Sequence, residues 1–300
     1  MKISVNYQIS DKQDRWIPFV FSIPLIVAVI ILVIIPLLWG VSVGFTDTKL
    51  LGIPPKNLFT FDNYVALFEE GEFWNSVKVT LVYSFFTVLG GILFGLVTAL
   101  VLNANFAGRA IVRTLIILPW AVPHVVAALV WQWMYNPDFG IVNYFLTLIP
   151  FLEKGPTWLG DPDFAMAAVT VVTVWKTYPF ATIMILAGLQ SIREDLYEAS
   201  EIDGAKKLRQ FLDITLPGLQ QVLGIVCLLL IIWSFGNFVF IFLMTQGGPV
   251  GATETLVIRI YLEAFRFMDG SGAFAAGTIL LSIALVFTLF YLLFTRQELQ

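Results

Sequence analysis

Six long apolar stretches, almost free of charged side chains, follow one another along the chain. A helix needs about 20 predominantly apolar residues to cross the hydrocarbon core of a bilayer, and each stretch is long enough. We therefore expect six transmembrane helices near residues 17–44, 76–103, 110–135, 164–189, 219–244 and 273–295. The pattern predicts an all-α integral membrane protein.

The segments around these helices define the organisation of the chain. An N-terminal segment, 1–16, precedes a first transmembrane helix at 17–45, and five further helices form a core at 76–295 with a charged loop at 190–218. Lys and Arg are more frequent on the side of the membrane that holds the N-terminus, and such a bias marks the cytoplasmic side. We expect a multi-pass protein of a bacterial-type cell (inner) membrane, with both termini and this loop in the cytoplasm.

The composition excludes several classes of protein. The residues AVILMFWYC make up 58% of the chain and charged residues only 13%, which fits neither a soluble domain nor a disordered one. The net charge of −4 suggests no nucleic-acid partner. One cysteine, Cys227, and one histidine, His124, leave no internal disulfide and no histidine cluster for a metal. Phosphate-binding and nucleophile-elbow motifs are missing from the sequence, so we expect no enzyme and no cofactor on this chain.

The charged loop has a pattern of its own. Leu196–Ser200 predicts a helical turn, and Leu208, Phe211 and Leu212 predict a second, amphipathic piece that ends at Pro217. Between them Gly204 offers the conformational freedom for a bend. The residues alone predict a bent helix–turn–helix at the membrane surface, and a solvated connector is an equally good interpretation.

The spacing E-A-(A/S)-x3-G-x9-I-x-L-P resembles the signature loop of the membrane subunits of bacterial ABC importers. This chain matches it at Glu198, Ala199, Gly204, Ile214, Leu216 and Pro217. Ser200 stands where many members have alanine. The piece Thr245-Gln246-Gly247-Gly248-Pro249 is similar to the first of the two permease subunits of carbohydrate importers. The chain therefore resembles a maltose-type sugar permease.

The resemblance implies a type I ABC importer permease fold and a set of partners. The loop would be a coupling helix that docks on a cytoplasmic ATPase subunit, and its contact residues would be Glu198, Ala199, Ser200, Asp203, Gly204 and Ala205. A second permease subunit, two ATPase copies that carry ATP and Mg, and an extracytoplasmic sugar-binding protein would complete the importer in the lipid bilayer.

Polar and aromatic residues inside the predicted helices form three patches. Thr173, Lys176, Thr177 and Phe180 share one helical face, Trp120 and His124 are one turn apart, and Trp233, Ser234 and Asn237 lie on the fifth helix. Aromatic faces with a few hydrogen-bonding groups suit sugars. These nine positions also match the sugar-lining positions of maltose-type permeases, with lysine, phenylalanine and histidine as departures.

Lys176 leaves several alternatives open. A lysine inside a membrane normally faces a cavity or a partner, so it could contact substrate, bond to backbone carbonyls or pair with an acid of another subunit. An ion-coupled secondary transporter with Lys176 as the coupling group is the main rival function. If the chain is an ABC permease, the substrate is expected to be a neutral di- or oligosaccharide such as maltose or trehalose, and a charged sugar or glycerol phosphate is the alternative.

Overall fold

The computed structural model describes residues 17–48, 57, 59–149 and 155–297, and every regular element in that part of the chain is helical. The expected cytoplasmic segment 1–16 lies outside the described residues. The helices are, in chain order, α1 (Ile17–Val29), α2 (Ile35–Gly44), α3 (Asp62–Glu69), α4 (Gly71–Asn103), α5 (Arg109–Ala121), α6 (His124–Met134), α7 (Ile141–Thr147), α8 (Pro162–Ser191), α9 (Glu194–Ile202), α10 (Lys207–Gln210), α11 (Leu216–Phe235), α12 (Val239–Met244), α13 (Leu256–Tyr261) and α14 (Gly270–Gln297).

Five helical segments of the described chain are long and apolar enough to cross a membrane, and a bent pair can supply the sixth. The five are Phe19–Gly44, Gly71–Asn103, Pro162–Ser191, Lys207–Phe235 and Gly270–Leu293. Single-turn π-helical segments join α1 to α2 and α10 to α11, so those helices continue without a break. The all-α membrane architecture expected from the sequence is confirmed.

Two of the predicted transmembrane helices are not continuous over the predicted residues. The third, expected as one helix over 110–135, breaks between α5 and α6, which meet at 97°. Pro123 stands at the break and has no N–H with which to continue the helix. The fifth, expected over 219–244, begins at Lys207 and ends at Phe235, and α12 follows as a separate short helix.

The core of the bundle is the contact of α4 with α8, with α11 against both. Glycines on α4 allow the close approach: a side chain at Gly90 would collide with Val174, and one at Gly95 with Ala181. Gly91 faces Leu230 of α11 in the same way. Small residues at such positions let two helix backbones pack tightly where burial from lipid supplies no hydrophobic driving force.

The first span lies largely outside this core. Its side chains from Phe19 to Trp39 are exposed, and only Gly40 and Gly44 near its end are buried. Those two glycines contact α14 at Phe274 and Ala275. About 30 Å of this apolar helix, at 1.5 Å per residue, is therefore largely exposed.

The end of the bundle at which residues 192–206 lie, called here the loop end, contains α9 and the bend after it. Gly204 has a φ of +76°, and no atom lies within 4 Å of the position that a Cβ would take there, so backbone conformation alone favours glycine. The prediction of a separate amphipathic helix after the bend is wrong, because α10 continues directly into α11. Leu208 and Leu212, which were expected on its apolar face, are exposed. The Tyr197 and Thr215 hydroxyls, 2.9 Å apart, tie α9 to this helix.

The opposite end, called here the far end, is held by polar contacts across the chain. The guanidinium of Arg259 is buried and pairs with four carboxylates, those of Glu70, Glu72, Glu254 and Glu263. These pairs fasten α13 and the loop before it to the start of α4. The Thr245–Pro249 motif belongs to that loop, where the Thr245 and Thr253 hydroxyls lie 2.7 Å apart.

Candidate translocation cavity and coupling loop

A cavity of about 500 Å³ lies between α4, the break of the third span, α8, α11 and α12. Eight of the nine positions that the sequence selects line it: Trp120, His124, Thr173, Lys176, Thr177, Trp233, Ser234 and Asn237. The ninth, Phe180, packs against two of the lining rings, with its ring centroid 4.7 Å from that of Trp233 and 6.2 Å from that of Trp120. Three patches that are distant in sequence thus form one wall.

One hydrogen-bonded network crosses this wall from α4 and α8 to the turn between α11 and α12. The hydroxyl of Thr173 donates to the carbonyl of Val169 at 3.0 Å, so the Tyr83 hydroxyl, 2.8 Å away, donates to Thr173. The amide of Asn237 in turn donates to Tyr83 at 2.5 Å. The network fixes the rotamers of three polar side chains in a membrane-embedded site, where each unpaired polar group would be costly.

Tyr83 and Thr87 were missed by sequence reasoning. Both lie on α4: Thr87 lines the cavity, and Tyr83 is fully buried behind it. A signal for them exists, because Thr80, Tyr83 and Thr87 repeat at three and four residues along one face of an otherwise apolar helix. Phe238 and Phe240 also line the cavity, and their position depends on the break after Phe235, which the apolar pattern does not show.

Lys176 is 2% exposed and its ammonium is bound by backbone oxygens. It donates to the carbonyls of Pro119 at 3.0 Å and Trp120 at 2.8 Å, and to that of Val122. An ammonium has three donors, so these three carbonyls account for all of them. Of the alternatives left open by the sequence, bonding to backbone carbonyls is the one the structure shows.

Aromatic rings enclose the rest of the cavity. Trp120 is 47% exposed and Trp233 40% exposed, so part of each side chain stays accessible. The ring of His124 lies 5.4 Å from that of Phe240 between centroids. The wall therefore combines flat apolar faces with amide, hydroxyl and imidazole groups, and no carboxylate lines it among the described residues.

A larger groove of about 680 Å³ lies on another side of α8, against α4 and α6. Its lining is almost wholly apolar, with Phe86, Trp131, Trp175 and Tyr178 among its members. Size alone would favour it as a binding site, but it offers few hydrogen-bonding groups for a polar ligand. We therefore assign the polar site to the smaller cavity.

The six loop residues selected by the sequence lie around the bend at the loop end. Glu198, Ala199, Asp203 and Gly204 are exposed, while Ser200 and Ala205 are half-buried. The side-chain amide of Gln210 donates to the Ser200 hydroxyl at 3.0 Å, and this hydrogen bond links the two helices that flank the bend. Ile202, at the end of α9, is 87% exposed. This apolar side chain was not selected from the sequence as a contact residue, although it directly precedes Asp203, which was selected.

Comparison with known proteins decides the family. The family model described as "Binding-protein-dependent transport system inner membrane component" matches residues 91–298. The chain belongs to this family. It is a permease subunit of an ABC importer and a multi-pass inner-membrane protein; it is not itself an enzyme, because the ATPase of such importers is a separate subunit.

Similar proteins include permeases with named sugars. This permease subunit is 36% identical over 277 residues to the trehalose/maltose transport system permease protein MalF of Thermococcus litoralis, covering 91% of this chain and 92% of that one. It is 32% identical over 288 residues to the sulfoquinovosyl glycerol transport system permease protein SmoG of Agrobacterium fabrum, covering 96% and 93%.

Solved structures show the same fold. A chain of a bacterial alginate ABC transporter, in complex with an alginate pentasaccharide-bound periplasmic protein, superposes with a TM-score of 0.81 at 25% identity. The match covers 95% of this permease subunit and 96% of that chain. The expected type I importer permease fold is therefore confirmed.

Proposed function

We propose that this chain forms half of the translocation path of an ATP-driven importer for a neutral di- or oligosaccharide of the maltose or trehalose type. The observation that carries the proposal is the cavity wall, in which Trp120, Phe180 and Trp233 stand beside the Thr173–Tyr83–Asn237 network. The similarity to a trehalose/maltose permease over 91% of the chain supports it.

The chemistry of the wall suits a neutral sugar. Aromatic faces pack against the CH faces of a pyranose ring, and the oxygen of the Asn237 amide is an acceptor for a sugar hydroxyl. Thr177 and Ser234 bond to their own helix carbonyls, and their oxygens keep acceptor capacity toward the cavity. A volume of about 500 Å³ falls within the range of about 300–1,000 Å³ typical of small-molecule sites.

Partners complete the proposed importer. A second permease subunit would supply the other wall of the path, and an extracytoplasmic sugar-binding protein would deliver substrate. The coupling loop would dock on an ATPase dimer, with Glu198 and Asp203 flanking the contact and Ile202 as its apolar tip. ATP and Mg would bind to that ATPase, and no cofactor is assigned to this chain.

An anionic sugar is the second candidate substrate. Lys176 places a positive charge beside the cavity, and relatives include permeases named for sulfoquinovosyl glycerol and alginate. We favour a neutral sugar because the Lys176 donors are all directed to carbonyls. The aromatic wall also contains no arginine among its described residues, and arginine is the side chain that binds anionic oxygens bidentately. The ion-coupled alternative does not fit a chain of the binding-protein-dependent family.

The test is uptake by the complete complex in proteoliposomes with ATP inside. We expect accumulation of labelled maltose or trehalose only when the ATPase, ATP and the binding protein are all present, and competition by neutral disaccharides. Asn237→Leu should lower this uptake about tenfold, since a lost hydrogen bond to substrate costs ~1–2 kcal/mol.

Two results would overturn the proposal. Competition by sulfonated or uronate sugars alone would identify an anionic substrate. Uptake driven by an ion gradient without ATP would refute the mechanism. Thr170→Val is the matched control, because the Thr170 hydroxyl bonds to its own helix at Met166 and does not line this cavity.

A further inference from the structure

We infer that Lys176 is a positioning residue: its ammonium caps the carboxyl end of α5 and holds the break of the third span, and it does not contact the transported sugar. The inference rests on the proposed function only where it concerns transport. The geometry that carries it is the set of three carbonyls, from Pro119, Trp120 and Val122, around one buried ammonium.

The break leaves backbone carbonyls without N–H donors, and Lys176 donates to them. The last carbonyls of any helix lack an N–H partner, and within a membrane such groups cannot turn to water. In an unbroken helix the Pro119 carbonyl would accept from the N–H of residue 123, but that residue is Pro123 and has none. The backbone turns away at Val122, whose ψ of 131° is extended. Lys176 supplies the missing donors from a neighbouring helix.

Electrostatics favours the same arrangement. The carboxyl end of a helix carries a partial negative charge, so a cation there is stabilised. An isolated ammonium in a membrane is costly, and the described part of the chain offers no acid beside Lys176. The carbonyls and the end of α5 are therefore the compensation that this structure provides. The same contacts use all three donors of the ammonium, which leaves none for a sugar hydroxyl.

The consequence for the cavity is local and specific. Trp120 belongs to the last turn of α5 and its own carbonyl is bound by Lys176. His124 begins α6 directly after the break. Both side chains line the cavity, so the angle at the break determines where these two side chains stand. Lys176 thus positions two wall residues from a third helix.

The decisive measurement is a distance across the break in the absence of sugar. Spin labels would be placed at Ile111 on α5 and Trp133 on α6, both exposed, in a chain with Cys227→Ser, assembled with its partner subunits in nanodiscs. We expect a shifted or broadened distance distribution in Lys176→Met, and a distribution like that of the parent in Lys176→Arg, which keeps the charge and the donors. Thr170→Val should leave the distribution unchanged. An unchanged distribution in Lys176→Met overturns the inference.

Transport kinetics separates positioning from contact with substrate. If Lys176 positions the wall, Lys176→Met lowers kcat/KM about tenfold for neutral and anionic test sugars alike, and Lys176→Arg restores most of it. A loss confined to anionic sugars would instead make Lys176 a substrate ligand and overturn the inference. Because the distance measurement needs no sugar, failure of the proposed substrate leaves that result standing.

A suppressor keeps the inference testable if Lys176→Met fails to assemble. Pro123→Ala restores an N–H that can donate to the Pro119 carbonyl, so we expect it to recover part of the assembled complex in the Lys176→Met background. No recovery, together with a broadened distance distribution in Lys176→Arg, would overturn the inference. Recovery by Pro123→Ala but not by Pro179→Ala would support it, since Pro179 lies on α8, the helix that carries Lys176.

Discussion

Arg259 shows at the scale of one residue how the far end of the permease is held together. The residue is 4% exposed, and its guanidinium lies 2.7 Å from the Glu263 carboxylate and 2.9 Å from that of Glu72. Burial raises the pKa of the Glu263 carboxyl, and the charge of Arg259 opposes that rise. The cluster contains more acids than bases, so Arg259 is the group on which its stability depends.

We therefore expect Arg259→Met to destabilise the chain by ~3 kcal/mol at about pH 7, because it leaves the buried Glu263 carboxylate without its counter-charge. The loss should shrink toward about pH 5. A carboxyl whose folded-state pKa is raised contributes stability at low pH and loses it as pH rises through that pKa, and removal of Arg259 strengthens this effect. Thermal unfolding of the purified complex in detergent at both pH values measures it.

Arg266→Met is the control for that experiment, since Arg266 is an exposed arginine on the same segment. It should change the unfolding temperature little at either pH. An Arg259→Met variant with the same loss at both pH values would show that Glu263 does not titrate with the cluster.

The sequence predicted several of the individual residues that line the cavity. Periodicity places Thr173, Lys176 and Thr177 on one face without any tertiary information, and the structure puts all three at one cavity. The carbonyl partners of Lys176 could not be derived in that way. They belong to another helix, and they are available only because the third span is broken.

The bend after α9 is an element whose conformation depends on one glycine. Gly204 has a φ of +76° with open space around it, so a β-branched side chain would be strained by its backbone and not by a neighbour. Gly204→Val should lower ATP-driven uptake and co-purification of the ATPase by about tenfold, because αL conformation costs such a residue ~1–2 kcal/mol. Membrane insertion and docking of the binding protein should persist.

The chain supplies a matched control for this experiment. Gly108 also has a positive φ, of +85°, with nothing near it, but it lies between α4 and α5. Gly108→Val should leave ATPase co-purification intact, and Gly204→Asn should behave like the parent because asparagine tolerates this conformation. Unchanged ATP-driven uptake in Gly204→Val would remove the bend from the coupling mechanism.

Elements that cross the membrane as one straight helix were predictable, and interrupted ones were not. The apolar stretch at 164–189 corresponds to α8, Pro162–Ser191, within a few residues. In contrast, the uniform apolar character of 110–135 and 219–244 conceals a break in each. Hydropathy measures whether residues tolerate lipid; it does not report whether the backbone continues, which here depends on Pro123 and on the turn at Gly236 and Asn237.

The whole molecule has the surface of an incomplete assembly. The first span is exposed along most of its length, and the polar cavity is open, with Trp120 and Trp233 exposed in its lining. Polar groups that face lipid would be costly, so the open side needs a complementary protein wall. We expect the second permease subunit there, as the proposed half of a translocation path requires.

The proposed coupling to an ATPase requires the loop end to face the cytoplasm, so the direction of the chain through the membrane tests it. Single cysteines at Phe139, which is 74% exposed at the far end, and at exposed Ala107, between α4 and α5 at the loop end, report the two sides in a Cys227→Ser background. The basic residues of the loop-end segments predict that an impermeant maleimide labels only Phe139→Cys in intact cells whose outer membrane, if present, is permeabilised. Ala107→Cys should react only after lysis. Labelling of Ala107→Cys in intact cells would show that the topology is the reverse of the expected one. A cytoplasmic ATPase could then not reach the bend at Gly204.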